Sequence, residues 1–363
     1  LDADFLARAE AMFMDAATDP DAWQAALDKV AEKSGSRGAA LLTVEGRGPF
    51  VLPTEGMGEL AERYVKDGWH QRDFRYAGVP LMKQRGIMVD QDIVKPEDMG
   101  RMEYYADFLQ PMGFGWFAGL KVETGDDLWC LTLQRGTAKG AYQAEEQEGL
   151  LRLGRIVSRA AALARRLEFV RLDGAMDVAG ALTGATMFID RFGKVVRLNQ
   201  RAEAMVGRNF AIRQGRIRFA NTSSDALQRH IDAAIWPDLS PIASAHLPVV
   251  VPQPNGRPLV FQALRLRGRS LGFFAPAYAM LLVTDLNDKS APPVDHLQAI
   301  FQLTVAEARL ANALLQQFSL VDAAAYLNCT HETVRTQIKS IFAKTGTRTQ
   351  AQLIDLLGRI RQV

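Results

Sequence analysis

The chain has 363 residues, 48% of them apolar and 23% charged, with a formal net charge of +2 at pH 7. That length exceeds one ordinary domain of roughly 100–200 residues and suits two or three. No run of about 18 uncharged apolar residues is present to span a bilayer and no basic-then-apolar leader opens the chain, so a cytoplasmic protein with no membrane partner is expected; the start at Leu1 implies that a start residue or short tail has been trimmed. Cys130 and Cys329 lie far apart, which argues against a disulfide framework and fits a reducing compartment. Charge is uneven: residues 1–180 carry 22 Lys and Arg against 29 Asp and Glu, residues 181–290 carry 14 against 7, and residues 303–363 carry 7 against 4. A segment that binds a polyanion should be basic, and the tail qualifies by a small margin.

In chain order, amphipathic spacing predicts helices over 5–14 and 22–34, and apolar alternation predicts strands over 39–44, 86–94, 115–122 and 128–135. The last two flank the turn signal ETGDD and so form a hairpin. An α/β sandwich over residues 1–165 is expected, rich in aromatics: Tyr64, Trp69, Tyr104, Tyr105, Phe114, Trp116, Phe117 and Trp129. A long connecting helix follows over about 142–172, with Leu150, Leu153, Val157, Ala160, Ala164 and Leu167 at alternating spacings of three and four. That stripe either closes over its own domain or pairs with a second copy as a stalk. Residues 185–207 read as strand, turn, strand and helix, and further strands are predicted over 248–251, 258–266 and 278–286. The stretch 287–302 reads as a linker on the two prolines near its start.

The tail from Leu303 onward resolves into four helices on capping chemistry alone. Thr304 with Glu307 forms a capping box, Ser319 with Asp322 gives a second start, Thr330 with Glu332 a third, and Thr347 with Gln350, directly after Gly346, a fourth. Asn328 suits the tight turn between the second and third, which makes a helix-turn-helix. In the third helix Val334, Ile338, Ile341 and Phe342 face inward, so Arg335, Thr336, Lys339 and Ala343 face out. A narrow basic helix of this kind fits the DNA major groove.

On Leu303-Thr304 with Glu307, Ser319, Ala324, Leu327, Thr333-Val334, Ile341, Lys344 and Arg348, residues 303–363 resemble the LuxR/GerE-type helix-turn-helix that NarL-type regulators also carry. The resemblance implies that Arg335, Thr336 and Lys339 read base edges, that Thr330, Gln337, Lys344 and Arg348 serve the DNA interface around them, and that Leu353, Leu357 and Ile360 of the last helix make a dimer contact. The chain departs from the family at Gln317 in place of Gly, at Ala323 in place of a bulkier apolar residue, and at Gln337 in place of His.

Residues 175–288 resemble a PAS domain, and residues 1–165 a GAF or autoinducer-type sensor. Within the latter, Tyr64 to Phe74 is similar to the segment of quorum-sensing LuxR proteins in which a Tyr and an Asp nine residues later hold the signal's polar head. Leu60 stands for the family's Trp and Phe74 for its Pro. The implied pocket comprises Tyr64, Trp69, Asp73, Tyr105, Trp116 and Trp129. The fold class expected is therefore α+β multidomain, with a sandwich sensor, a PAS-like unit and an all-α four-helix DNA-binding tail. Its expected partners are double-stranded operator DNA, a small-molecule effector, a second copy of the chain and RNA polymerase. No Walker loop, HExxH motif or clustered His/Cys set is present, so no enzyme activity, metal or cofactor is expected; His230 and His246 lack the context of haem ligands. Three other readings stay open: an acyl-homoserine-lactone receptor, a cofactor-based light or redox sensor, and a protein-binding antagonist of another regulator.

Overall fold

The computed structural model describes the whole chain except residues 47–48, 126, 183, 221–222, 238–246, 255, 267–271, 288–291 and 361–363, and the side chains of 177–182 and 359–360. Asp126 of the ETGDD turn, His246, residues 288–291 of the linker and the Ile360 side chain therefore lie outside the described residues.

The first unit is built from α1 (Ala3–Thr18), α2 (Ala22–Ser34), β1 (Gly38–Thr43), β2 (Val51–Pro53), α3 (Gly58–Lys66), α4 (Val79–Arg85), β3 (Ile87–Val89), α5 (Pro96–Met99), β4 (Trp116–Thr124) and β5 (Asp127–Arg135). Its five strands form an antiparallel sheet in the order β2-β1-β5-β4-β3. Strand side chains alternate between the two faces. Leu41, Ala118, Leu120, Val122, Trp129, Leu131 and Leu133 pack on one face against α1, α2 and α6 (Ala144–Leu182), while Ala40, Leu42, Phe117, Cys130, Thr132 and Gln134 point the other way.

Helix α6 is one 39-residue helix, ten residues longer at its C-terminus than the spacing predicted. Its stripe of Leu150, Leu153, Val157, Ala160 and Ala164 is buried within the first unit's own core, so of the two readings left open for it the closure over its own domain holds. Further along, Leu172 and Met176 pack with Phe188 and Ala277 of the next unit.

That unit contains β6 (Ala185–Ile189), β7 (Val195–Leu198), α7 (Gln200–Glu203), β8 (Ala211–Arg213), β9 (Arg216–Arg218), α8 (Ser223–Ile235), β10 (Val249–Val251), β11 (Leu259–Arg265) and β12 (Ala279–Asp285). Its sheet runs β10-β11-β12-β6-β7, also antiparallel. Numbered within each five-stranded sheet, both have the order 2-1-5-4-3. The two units meet through side chains. Asp127 at the start of β5 accepts from Arg165 of α6 (2.9 Å) and from Arg191 of the β6–β7 turn (3.1 Å), and Arg191 also donates to the Glu45 carbonyl. The Phe50 ring lies between Trp236 and Tyr278, and Phe273 and Phe274 pack on Trp129.

The tail is α9 (Val294–Phe301), α10 (Val305–Leu315), α11 (Leu320–Tyr326), α12 (His331–Thr345) and α13 (Gln350–Ile360). Helix α9 corrects the linker reading of 287–302: Pro293 caps it, and Leu297 is fully buried in the tail's core beside α10. Two prolines before a helix are compatible with its first turn, and they masked the short apolar stripe of Val294, Leu297 and Phe301. The capping assignments at Thr304, Ser319 and Thr330 hold, each side chain accepting the expected backbone N–H. The last helix starts later than predicted, because Thr349 accepts from Gln352 N (3.2 Å), whereas the Thr347 N–H closes back on the Phe342 carbonyl beyond the left-handed Gly346.

Candidate ligand cavity and nucleic-acid interface

On the side of the first sheet away from α6, side chains from seven segments line a cavity of about 40 Å³ that opens to solvent. Strands β1 and β5 supply Ala40, Leu42, Thr132 and Gln134, and β4 supplies Phe117. Helix α3 brings Leu60, Ala61 and Tyr64 on one face, and a single π-type turn at Tyr104–Leu109 brings Tyr104 and Phe108. A second space of about 30 Å³, lined by Val44, Tyr76, Val79, Met82, Met88 and Cys130, adjoins the first across a shared wall of Leu42, Tyr64, Asp73, Arg75, Phe117 and Thr132. Pockets that hold small molecules are mostly apolar with a few placed polar groups, and this one has that composition.

The polar wall is specific. Asp73 Oδ2 accepts from the Tyr64 hydroxyl (3.0 Å) and the Tyr104 hydroxyl (2.9 Å), while its Oδ1 accepts from Arg75 N (3.0 Å) and so caps the 3₁₀ turn Phe74–Gly78. Burial first, and the Asp73 carboxylate second, push both phenols well above their usual range, so they stay protonated and donate. Arg75 is buried and paired with the fully buried Asp90, Nε to Oδ1 at 3.0 Å and Nη2 to Oδ2 at 3.3 Å, and Asp90 also accepts from Phe117 N (2.9 Å). The guanidinium lies 4.3 Å from the Phe117 ring centroid. Burial pushes the Cys130 thiol up to about 12, which makes it a wall group and not a nucleophile.

Of the six residues expected to form a pocket, Tyr64 and Asp73 line the cavity and bond to each other. Trp69 stands behind the wall, stacked on Phe108 at 5.0 Å, and Tyr105 is fully buried beside Arg75. Trp116 packs half-buried against the aromatic cluster outside the cavity lining. Trp129 belongs to the opposite face of the sheet, where it meets Phe273 and Phe274; its odd position in β5, against the even Thr132 and Gln134, fixes that side. Tyr104 was named among the aromatics but not placed in the pocket, and Arg75, Asp90, Thr132 and Gln134 were not singled out. Two polar residues two apart, following the apolar run 128–131 of the strand, were the available signal for the last pair.

In the tail, α11 and α12 are joined through Asn328, whose φ is 53°. Val334, Ile338 and Ile341 of α12 are buried against α10 and α11, and Arg335, Thr336 and Lys339 are exposed on its outer side. Thr330 is exposed and caps α12, Gln337 is half-buried, and Arg348 is exposed beyond it. Lys344 donates to Glu307 Oε2 (2.7 Å), which also accepts from Thr304 N, while Ser340 donates to Oε1 (2.6 Å). Burial alone would raise the Glu307 carboxyl; Lys344, Ser340 and Thr304 outweigh it and hold it at about 2. Lys344 is thus tied to α10. The dimer contact expected at Leu353 and Leu357 is corrected, because both are fully buried in the tail's own core. Among the described residues, no group of three or more His, Cys, Asp or Glu could hold a metal ion, and no helix is long and apolar enough to cross a membrane.

No protein-family model matches this chain, and no curated protein matches it. Solved structures do. The VqsR LBD domain from Pseudomonas aeruginosa aligns at TM-score 0.34 and 20% identity over 42% of this chain and 96% of that one. The N-acylhomoserine lactone dependent LuxR family transcription factor CepR2 from Burkholderia cenocepacia aligns at 0.34 and 17% over 44% and 93%. The Vibrio cholerae VqmA dimer aligns at 0.22 and 20% over 50% and 85%. At TM-scores below 0.5 these likenesses carry no argument about this chain's function.

Proposed function

We propose that the chain is a DNA-binding transcription regulator whose operator affinity is set by a small molecule held in the first unit. The observation that carries this reading is the outer face of α12. A capped helix of 15 residues, docked by its apolar side on two others, presents Arg335, Thr336 and Lys339 to solvent, with neither cation paired to a carboxylate among the described residues. A surface of this shape and charge fits the major groove, where Arg and Lys pair with guanine edges. The cavity at Asp73 supports the regulatory half of the proposal, and Asp127 supports its transmission, since one strand, β5, runs from the contact with the middle unit to the cavity residues Thr132 and Gln134. An acyl-homoserine lactone is not the proposed effector, because Leu60 offers no donor where a lactone carbonyl would need one.

Selection from a randomised duplex library tests the DNA half. The intact chain enriches a defined motif, and an Arg335→Ala/Lys339→Ala variant does not. Two half-sites about one helical turn apart would report a pair of chains on the duplex, and one half-site a single chain. Equal enrichment by both proteins would remove α12 as the reading element.

A further inference from the structure

The polar groups of the cavity are already occupied, with one exception. Asp73 accepts three hydrogen bonds, from Tyr64, Tyr104 and the Arg75 backbone. The charge of Arg75 is met by Asp90. Thr132 donates to the Ala40 carbonyl. Gln134 is 5% exposed, lines the cavity, and its Oε1 is fully buried without a hydrogen-bond partner. A buried acceptor left unpaired is costly, and such groups are rare in folded proteins unless something else completes them.

We infer that Gln134, and not Asp73, is the residue that selects the effector, and that the effector is an uncharged small molecule presenting an N–H or O–H donor to Gln134 Oε1. The charge assignment follows from the wall. Its one guanidinium is neutralised by Asp90, its two phenols stay protonated and its remaining charged group is the Asp73 carboxylate, so a carboxylate or phosphate ligand would enter without a counter-charge. The donor assignment follows from the orphaned oxygen. The apolar remainder of the molecule lies among Val51, Met57, Leu60 and Phe108. Asp73 then has an organising part, holding the two phenols that shape the wall. This inference rests on the proposal that the cavity is an effector site.

Two measurements test it on the full chain. The first needs no ligand: Gln134→Met keeps the side-chain volume and removes the orphaned acceptor, and it raises the melting temperature of the empty protein by about 2–4 °C. A fall in melting temperature would mean that Gln134 is satisfied within the fold, and would overturn the inference. The second uses calorimetric titration with N-phenylhexanamide, with phenyl hexanoate, in which an oxygen replaces the N–H, and with hexanoate. The amide binds at least about tenfold tighter than the ester, hexanoate does not bind, and in Gln134→Met the amide and ester become equal. Equal binding of amide and ester by the unaltered chain, or a preference that survives in Gln134→Met, would overturn the part given to Gln134 while leaving the cavity an effector site. Failure of all three probes at millimolar concentration would overturn both.

Discussion

The first and middle units share a strand order and differ in how they use one face of the sheet. In the first, Ala40, Leu42, Thr132 and Gln134 face empty space roofed by α3 and the π-type turn. In the middle unit Phe261, Ala263, Leu281 and Val283 are buried in a core that includes Phe210, with Phe219 packed against it and the Phe219 and Phe261 rings 5.4 Å apart. The same topology thus yields a cavity or a filled core according to side-chain volume at a few strand positions. The difference locates function in the site and not in the fold.

The two faces differ most in the energies that their buried side chains carry. Phe261→Ala should cost about 3–5 kcal/mol in urea unfolding, and Arg75→Met should cost as much by leaving Asp90 buried and unpaired. Leu60→Ala, which enlarges space already present, should cost no more than about 2 kcal/mol, near the lower end for such truncations. A Leu60 loss as large as that of Phe261 would mean that the cavity face is packed like a core.

The tail offers a smaller contrast, between a buried network and an exposed reading surface. Glu307→Gln removes a carboxylate that serves a cap, Lys344 and Ser340 together, and should cost about 2–3 kcal/mol at neutral pH. Because the folded carboxyl is held at about 2, below its ordinary 4.5, the stabilisation is fully present above pH 4.5 and is lost as pH falls through that window towards 2. Unfolding of the two proteins at stepped pH should therefore converge towards the acid end; a gap as large at pH 2 as at pH 7 would mean that the charge is not its source. Arg335→Ala, by contrast, should leave stability within about 0.5 kcal/mol and weaken binding to the selected duplex by about 1–3 kcal/mol.

The smallest effect sits at Gln317, whose φ of 69° is a left-handed conformation that only Gly adopts freely. Gln317→Gly should stabilise the tail by about 0.5–1 kcal/mol in thermal unfolding, and a destabilisation would show that the Gln side chain makes compensating contacts.

The tail was the legible part of the sequence because its determinants are local. Capping pairs three residues apart, one Asn at a tight turn and a four-position apolar stripe fix α10, α11 and α12 without reference to anything distant. The same local reading misassigned Leu353 and Leu357, since an apolar stripe does not say whether it faces its own core or a second chain. The cavity was legible only at Tyr64 and Asp73. Its other walls come from segments up to 94 residues apart, Ala40 to Gln134, and proximity over that separation is set by strand pairing. Trp129 was placed in the pocket on its aromaticity, where strand parity would have put it on the other face.

In this reading the cavity and α12 are coupled. The most direct test of that coupling is the affinity of the full chain for its selected duplex, read by fluorescence anisotropy, with and without Ala61→Phe, which fills the cavity from α3 and leaves the tail untouched. The account predicts a change in dissociation constant within about 5- to 150-fold. An unchanged constant, in a variant shown to be folded and filled, would contradict it.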